Sequence, residues 1–220
     1  MLSKKRTIEA IDLMKELYPN ARGELNYDTP FQYLIAVILS AQATDISVNK
    51  ATPLLFEAYP TAEKLAQASL EDVMMRIKTI GLYKTKAKNI IKASQMLVET
   101  FNGEVPKTKK ELESLPGVGR KTANVVAGDL FNVPSIAVDT HVERVSKRLR
   151  ICKQSATVTE VEDTLMKKIP EERWVDTHHT MILFGRYQCT ARNPKCEGCL
   201  LLDLCAEGQK NINIKKKNKE

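Results

Sequence analysis

Aromatic side chains are scarce: one Trp, six Tyr and five Phe amount to 5% of 220 residues. A protein that reads single-stranded nucleic acid by stacking successive bases on rings needs more of them, which argues against that class. Long apolar runs are missing too. The longest, Leu34 to Leu39, falls far short of the roughly 20 residues that cross a bilayer. The basic start Met1-Leu2-Ser3-Lys4-Lys5-Arg6 is followed by Glu9 and Asp12 rather than by the apolar core of a secretion signal. The expectation is a cytoplasmic protein of bacterial type that makes no membrane contact. Convincing apolar-polar alternation and long-period repeats are also absent, which excludes sheet and solenoid architectures. Cysteine is sparse and uneven, with four of five crowded between Cys189 and Cys205. In a reducing compartment such a cluster points to metal ligation rather than disulfides.

What is present is helical patterning. Ile8, Ile11, Met14, Leu17 and Tyr18 recur at spacings of three and four, and Pro19 closes that stripe. A helix from Phe31 to Leu39 is apolar almost all round, as a central core helix would be. Thr44 or Asp45 caps a third through Phe56, and short helices start at Thr61 and at Ser69, where Ser69-Leu70-Glu71-Asp72 has the form of a capping box. A longer helix runs from Tyr83 to Phe101, and Thr108 caps a short one ending at Leu115. Further helices are expected after the glycine turn at 117–119, after Asp139, after Thr157, and from Glu171 to about Tyr187. Ten or so helices joined by short loops make the expected fold all-α.

The turn Leu115-Pro116-Gly117-Val118-Gly119-Arg120-Lys121-Thr122 joins two of these helices. Two glycines allow positive φ and close approach by another molecule, and the helix that follows presents unpaired N–H groups, a natural cradle for phosphate. A simple helix-turn-helix corner is the bland alternative. A Walker loop and a dinucleotide fingerprint are excluded because no strand precedes the turn. Thirty-four Lys and Arg against 27 Asp and Glu leave a net charge of +7, compatible with a polyanionic partner. Lys121 sits in the first helical turn, where the helix dipole disfavours a cation, so it is either a solvated lysine or an amine placed to react. Asp139 precedes a helix and is an N-cap by default, a role that leaves it able to accept a proton.

The cysteines are spaced Cys189, six residues, Cys196, two residues, Cys199, five residues, Cys205. Four thiolates can hold zinc or a [4Fe-4S] cube. Zinc ribbons bring two C-x2-C knuckles together, whereas only Cys196 and Cys199 form one here, so the spacing favours the cube. Cys152 reads as a buried apolar residue, and adjacent His178 and His179 point about 100° apart on a helix, which suits packing rather than shared chelation.

Three separated motifs now combine. Leu115 to Asn124, then Val138-Asp139-Thr140-His141-Val142, then the four-cysteine spacing, resemble the endonuclease III family of helix-hairpin-helix DNA glycosylases. The likeness extends from Leu39-Ser40-Ala41-Gln42-Ala43-Thr44-Asp45 through Thr79-Ile80-Gly81-Leu82-Tyr83 to Cys205. The resemblance implies a monomeric base excision repair enzyme acting on double-stranded DNA that carries a damaged base or an abasic site. It would remove oxidised pyrimidines and cleave the abasic strand by β-elimination. Lys121 matches the family's nucleophile and Asp139 its catalytic aspartate. Gln42 and Leu82 align with residues that fill the gap left by a flipped nucleotide, and Gly117, Val118, Gly119 and Arg120 with the strand-gripping hairpin. Loop and cap roles are the bland readings of Gln42 and Leu82. Cys189, Cys196, Cys199 and Cys205 match the ligands of the [4Fe-4S] cluster.

The family's organisation further implies two helical halves with DNA in the groove between them. A six-helix barrel would span residues 23–133 with its hairpin at about 108–127, and an iron–sulfur domain would combine 1–22 with 134–220, the basic tail 212–220 being flexible. Lysine after Gly119-Arg120 sets the chain apart from the adenine-removing branch, which has serine there. A non-catalytic iron–sulfur module that senses redox state or DNA structure would use the same hairpin and charge, and is the alternative reading.

Overall fold

The computed structural model describes residues 1–217; side chains are described as far as residue 214. Twelve α-helices follow one another: α1 (Lys4–Leu17), α2 (Pro30–Ser40), α3 (Asp45–Ala58), α4 (Ala62–Ala66), α5 (Leu70–Arg76), α6 (Tyr83–Phe101), α7 (Lys109–Ser114), α8 (Arg120–Phe131), α9 (Thr140–Arg148), α10 (Val158–Lys168), α11 (Trp174–Leu183) and α12 (Ala206–Lys217). No strand occurs among the described residues, and the fold is all-α.

The helix starts follow side-chain chemistry. Thr29, Thr44, Thr61, Ser69, Thr108 and Thr157 each accept a backbone N–H with the side-chain oxygen at the start of α2, α3, α4, α5, α7 and α10, satisfying donors the helix cannot. Thr44 rather than Asp45 is the cap of α3. The boxes at Thr108–Glu111 and Thr157–Glu160 are reciprocal. At Ser69 only the serine half forms, because Asp72 is drawn instead to Tyr59 and to Arg76, each at 2.6 Å.

The chain divides into two compact units, Glu24–Val133 and a second made of Met1–Gly23 with Pro134–Glu220. In the first, α2 is the axis: every residue from Phe31 to Leu39 is buried, and α3, α6 and α8 pack against it. Tyr33 on α2 donates its hydroxyl to the Asp129 carboxylate on α8. Burial first, and Asp129 second, push the Tyr33 phenol far above its ordinary value, so it stays a donor. In the second unit Ile11 and Met14 of α1 join Val142, Val145, Leu165, Met181 and Phe184 in a separate core.

Two stretches differ from the sequence expectation. The helix from Glu171 is a 3₁₀ turn (Glu171–Arg173), then α11, then a π turn at Phe184–Gln188. Beyond the cysteines an additional helix, α12, runs from Ala206 to Lys217 and so takes in 212–217 of the basic tail; residues 218–220 lie outside the described residues.

Candidate functional site

The glycine turn connects α7 to α8, and its two glycines differ. Gly117 has φ +84°, and a Cβ there would stand 3.0 Å from Asn89 Cβ and 3.1 Å from Ile38 Cγ2, so glycine is required on two counts. Gly119 instead has extended backbone, φ −102° and ψ 178°, which any residue adopts. A Cβ on Gly119 would meet nothing within 4 Å. Val118 between them is buried at 7% exposure and anchors the turn. No side chain caps the N-terminus of α8. Lys121 follows one residue into the helix, exposed, and its amine has no side-chain partner among the described residues. Arg120 is exposed beside it.

Gln42 and Leu82 lie in the same unit. Gln42 closes the turn after α2 with φ 54°, and Leu82 is the N-cap of α6 with φ 59° and ψ 25°. Both are exposed, Leu82 at 61%. Left-handed backbone costs a non-glycine residue on the order of 1–2 kcal/mol, and strain of that kind gathers at ligand clamps. The two turns meet: the Gln42 carbonyl oxygen lies 3.9 Å from the position of a Cβ on Gly81.

Asp139 belongs to the other unit. Its Oδ1 accepts from the N–H groups of His141 and Val142, each at 2.8 Å, and Oδ2 lies 3.0 Å from His141 Nδ1. These contacts fix the carboxylate at the N-terminus of α9, with 12% of the side chain exposed.

The four cysteines line one cavity. Among the described residues no three His, Cys, Asp or Glu side chains are placed to hold a single metal ion. Tetrahedral zinc needs its sulfurs about 2.3 Å from one centre, whereas a cube takes each thiolate on a separate iron. The surrounding donors fit a thiolate cluster. Arg148 Nη1 lies 3.3 Å from Cys189 Sγ, the Gly208 N–H donates to Cys205 Sγ at 3.3 Å, and Asn211 Nδ2 lies 3.8 Å from Cys196 Sγ. Burial pushes the free Cys199 and Cys205 thiols up, so loading the site must expel protons.

Two arginines were not picked out in the sequence. Arg144 donates to the carbonyls of Gly185 at 2.7 Å and Cys189 at 3.1 Å, while Arg148 reaches those of Thr190 at 2.7 Å and Ala191 at 3.0 Å. Together they hold the backbone that enters the cysteine loop. Their four-residue spacing on one face of α9 was the available signal. Gly185 permits the approach, since a Cβ there would stand 2.8 Å from His141 Cβ.

Comparison with known proteins places the chain among relatives. The profile of the HhH-GPD superfamily of base excision DNA repair proteins covers residues 35–171, and that of the iron–sulfur binding domain of endonuclease III covers residues 189–205. Endonuclease III of Bacillus subtilis (strain 168) is 53% identical over 210 residues, with 96% of each chain covered. The Escherichia coli (strain K12) enzyme is 48% identical, over 95% of this chain and 99% of its own. The solved structure of a trapped endonuclease III–DNA covalent intermediate superposes with a TM-score of 0.93 at 54% identity, covering 96% of this chain and all of that one. The class is thus that of base excision repair DNA glycosylases with lyase activity. Within it, the chain belongs to the endonuclease III family. Its cofactor is a [4Fe-4S] cluster and its partner is DNA.

Proposed function

We propose that the chain removes oxidised pyrimidines from duplex DNA and then cuts the strand at the abasic site, with Lys121 as nucleophile and Asp139 as its proton acceptor. The observation that carries this reading is the DNA-bound relative, 54% identical, caught as a covalent intermediate. A covalent bond to DNA demands a nucleophile, and Lys121 is an exposed amine directly behind an open hairpin turn. A redox-sensing module without catalysis has no use for such a bond.

In the proposed reaction the Lys121 amine, relieved of a proton by the Asp139 carboxylate, attacks C1′ of the extruded nucleotide. The glycosidic bond breaks and the base departs with a proton. The sugar ring opens to a Schiff base on Lys121, a proton leaves C2′, and the C3′–O bond breaks to release the phosphate-ended strand. Water then hydrolyses the Schiff base and restores the lysine. Once its proton has passed to the departing base, the Asp139 carboxylate is anionic again and opposes positive charge on the sugar.

Gly117, Val118, Gly119 and Arg120 grip the strand through phosphates, which fixes register without reading sequence. Gln42 and Leu82 fill the space left by the extruded nucleotide, and the fixed backbone of their turns keeps that wedge rigid. Cys189, Cys196, Cys199 and Cys205 hold the cluster, which shapes its loop for DNA; no step of the reaction runs through it. The enzyme works as a monomer in the cytoplasm, at the nucleoid.

Borohydride reduction with duplex containing an oxidised pyrimidine tests the reading. The wild type should give a covalent protein–DNA adduct that Lys121→Ala abolishes. Absence of adduct across several oxidised pyrimidines and an abasic site would instead favour the binding module.

A further inference from the structure

We infer that the unit carrying the cysteines has a second anion site, a basic cleft beyond the C-terminal end of α9 that binds a phosphate group. It encloses about 420 Å³, within the range of small-ligand pockets, and is lined by Arg144, Lys147, Arg148, Arg150, Gln154 and Glu207. Four cations face a single carboxylate on its walls.

The bland account of these charges is structural, and for three of them it holds. Arg144 and Arg148 are committed to the carbonyls before the cysteine loop, and Lys147 to Glu143 at 2.6 Å. Arg150 has no such duty. It is exposed, its backbone is left-handed at φ 56°, and among the described residues its side chain has no hydrogen-bond or ion-pair partner. Buried Leu149 and Ile151, at 3% and 0% exposure, hold that strained residue at the cleft.

The end of a helix ordinarily repels an anion through its unpaired carbonyls. Here three of them are taken. Val145, Ser146 and Lys147 accept from the backbone N–H groups of Leu149, Ile151 and Arg150, and the Gln154 amide adds a bond to Lys147 at 2.6 Å. What remains at the cleft is positive charge without enough counter-charge. A phosphate, with several acceptor oxygens and up to two negative charges, accepts from a forked arginine donor through two bonds and answers more of the excess charge than a carboxylate does. The cleft shares Arg148 and Glu207 with the cysteine-lined cavity, so bound phosphate adjoins the cluster's wall.

The phosphate comes either from a small free ligand or from a DNA backbone, and one titration series separates the two. Inorganic pyrophosphate is titrated calorimetrically into the cluster-loaded protein at low salt. The wild type should show a saturable site that Arg150→Glu weakens at least tenfold, with thermal midpoint and cluster absorbance unchanged. Arg120→Ala, at the hairpin, should leave it within twofold. Binding that persists under saturating undamaged duplex identifies a free ligand. Displacement by duplex, together with a fall of about one in the log–log salt slope of DNA binding in Arg150→Glu, identifies a backbone phosphate. No saturable site, equal affinity in Arg150→Glu, or loss in Arg120→Ala instead overturns the inference.

Discussion

The Gln42 carbonyl oxygen stands 3.9 Å from where a Cβ on Gly81 would lie, so the turn that ends α2 abuts the turn that begins α6. Each turn displays an exposed residue in left-handed backbone, Gln42 at φ 54° and Leu82 at φ 59°. Leu82→Gly removes the left-handed penalty but adds a similar cost in unfolded-chain entropy, so stability should change by less than about 1 kcal/mol. Base release from damaged duplex should nevertheless fall at least tenfold if Leu82 fills the gap as proposed. Thermal melting alongside single-turnover kinetics checks both; a variant that keeps full activity removes Leu82 from the site.

The hairpin glycines divide into one that the fold needs and one that it does not. Gly117→Ala forces a Cβ to within 3.0 Å of Asn89 at positive φ and should cost about 1–3 kcal/mol. Gly119→Ser meets no protein atom and supplies a better N-cap to α8, so the fold should be as stable or slightly more so. DNA affinity should drop all the same, since the new side chain would obstruct the proposed phosphate contact at this turn. Denaturation and duplex-binding titrations on the pair separate these effects, and unchanged binding in Gly119→Ser would move the strand contact elsewhere.

Much of this was legible because local chemistry dominates a helical chain. Thr108, Thr157 and Asp139 announce helix starts, and the apolar run at 31–39 announces a helix buried on all sides. What stayed hidden depends on distant partners. The Tyr33–Asp129 bond spans 96 residues and the hold of Arg148 on the cysteine loop spans more than 40, so no local pattern reports either. The box expected at Ser69 forms only by half because Tyr59 and Arg76 compete for Asp72. Left-handed backbone at Gln42 and Leu82 was also invisible, since neither residue type favours it. α12 escaped notice because its second half lies in the basic stretch 212–220, which is polar enough to read as a tail.

Cluster ligation predicts a local rather than global failure. Cys199→Ser should strip the visible absorbance and expose the loop around 188–205 to protease, while the separately cored unit Glu24–Val133 keeps its protection. Duplex affinity should fall with loss of the loop. Full affinity without the cluster would show that the loop does not contact DNA.

Lys86 on α6 makes stability depend on alkaline pH. It is 5% exposed and its Nζ is buried without a hydrogen-bond partner among the described residues, and burial lowers its pKa. Between that depressed value and the unfolded value of about 10.4 the unfolded chain binds more protons, so this residue's contribution to stability rises with pH. Lys86→Met keeps the stem and drops the charge, and should stabilise the protein by about 1–3 kcal/mol at pH 7. The advantage should shrink by pH 10, as read from urea midpoints; a gap that is the same at both pH values rejects the charge as its cause.

Asp139 carries a structural and a proposed chemical role on one carboxylate, and two substitutions pull them apart. Asparagine caps helices about as well as aspartate, so Asp139→Asn should keep the bonds to the N–H groups of His141 and Val142 and lose little stability. It cannot accept a proton or oppose a developing positive charge, and base release should fall at least a hundredfold. Asp139→Ala removes the cap as well, at a cost of about 1 kcal/mol, but should be no less active than Asp139→Asn once both are fully folded. Thermal midpoints should therefore separate the two variants while single-turnover rates do not. Were Asp139→Asn to retain near-wild-type base release, the carboxylate would be a helix cap alone, and the proton acceptor for Lys121 would have to be sought among other groups.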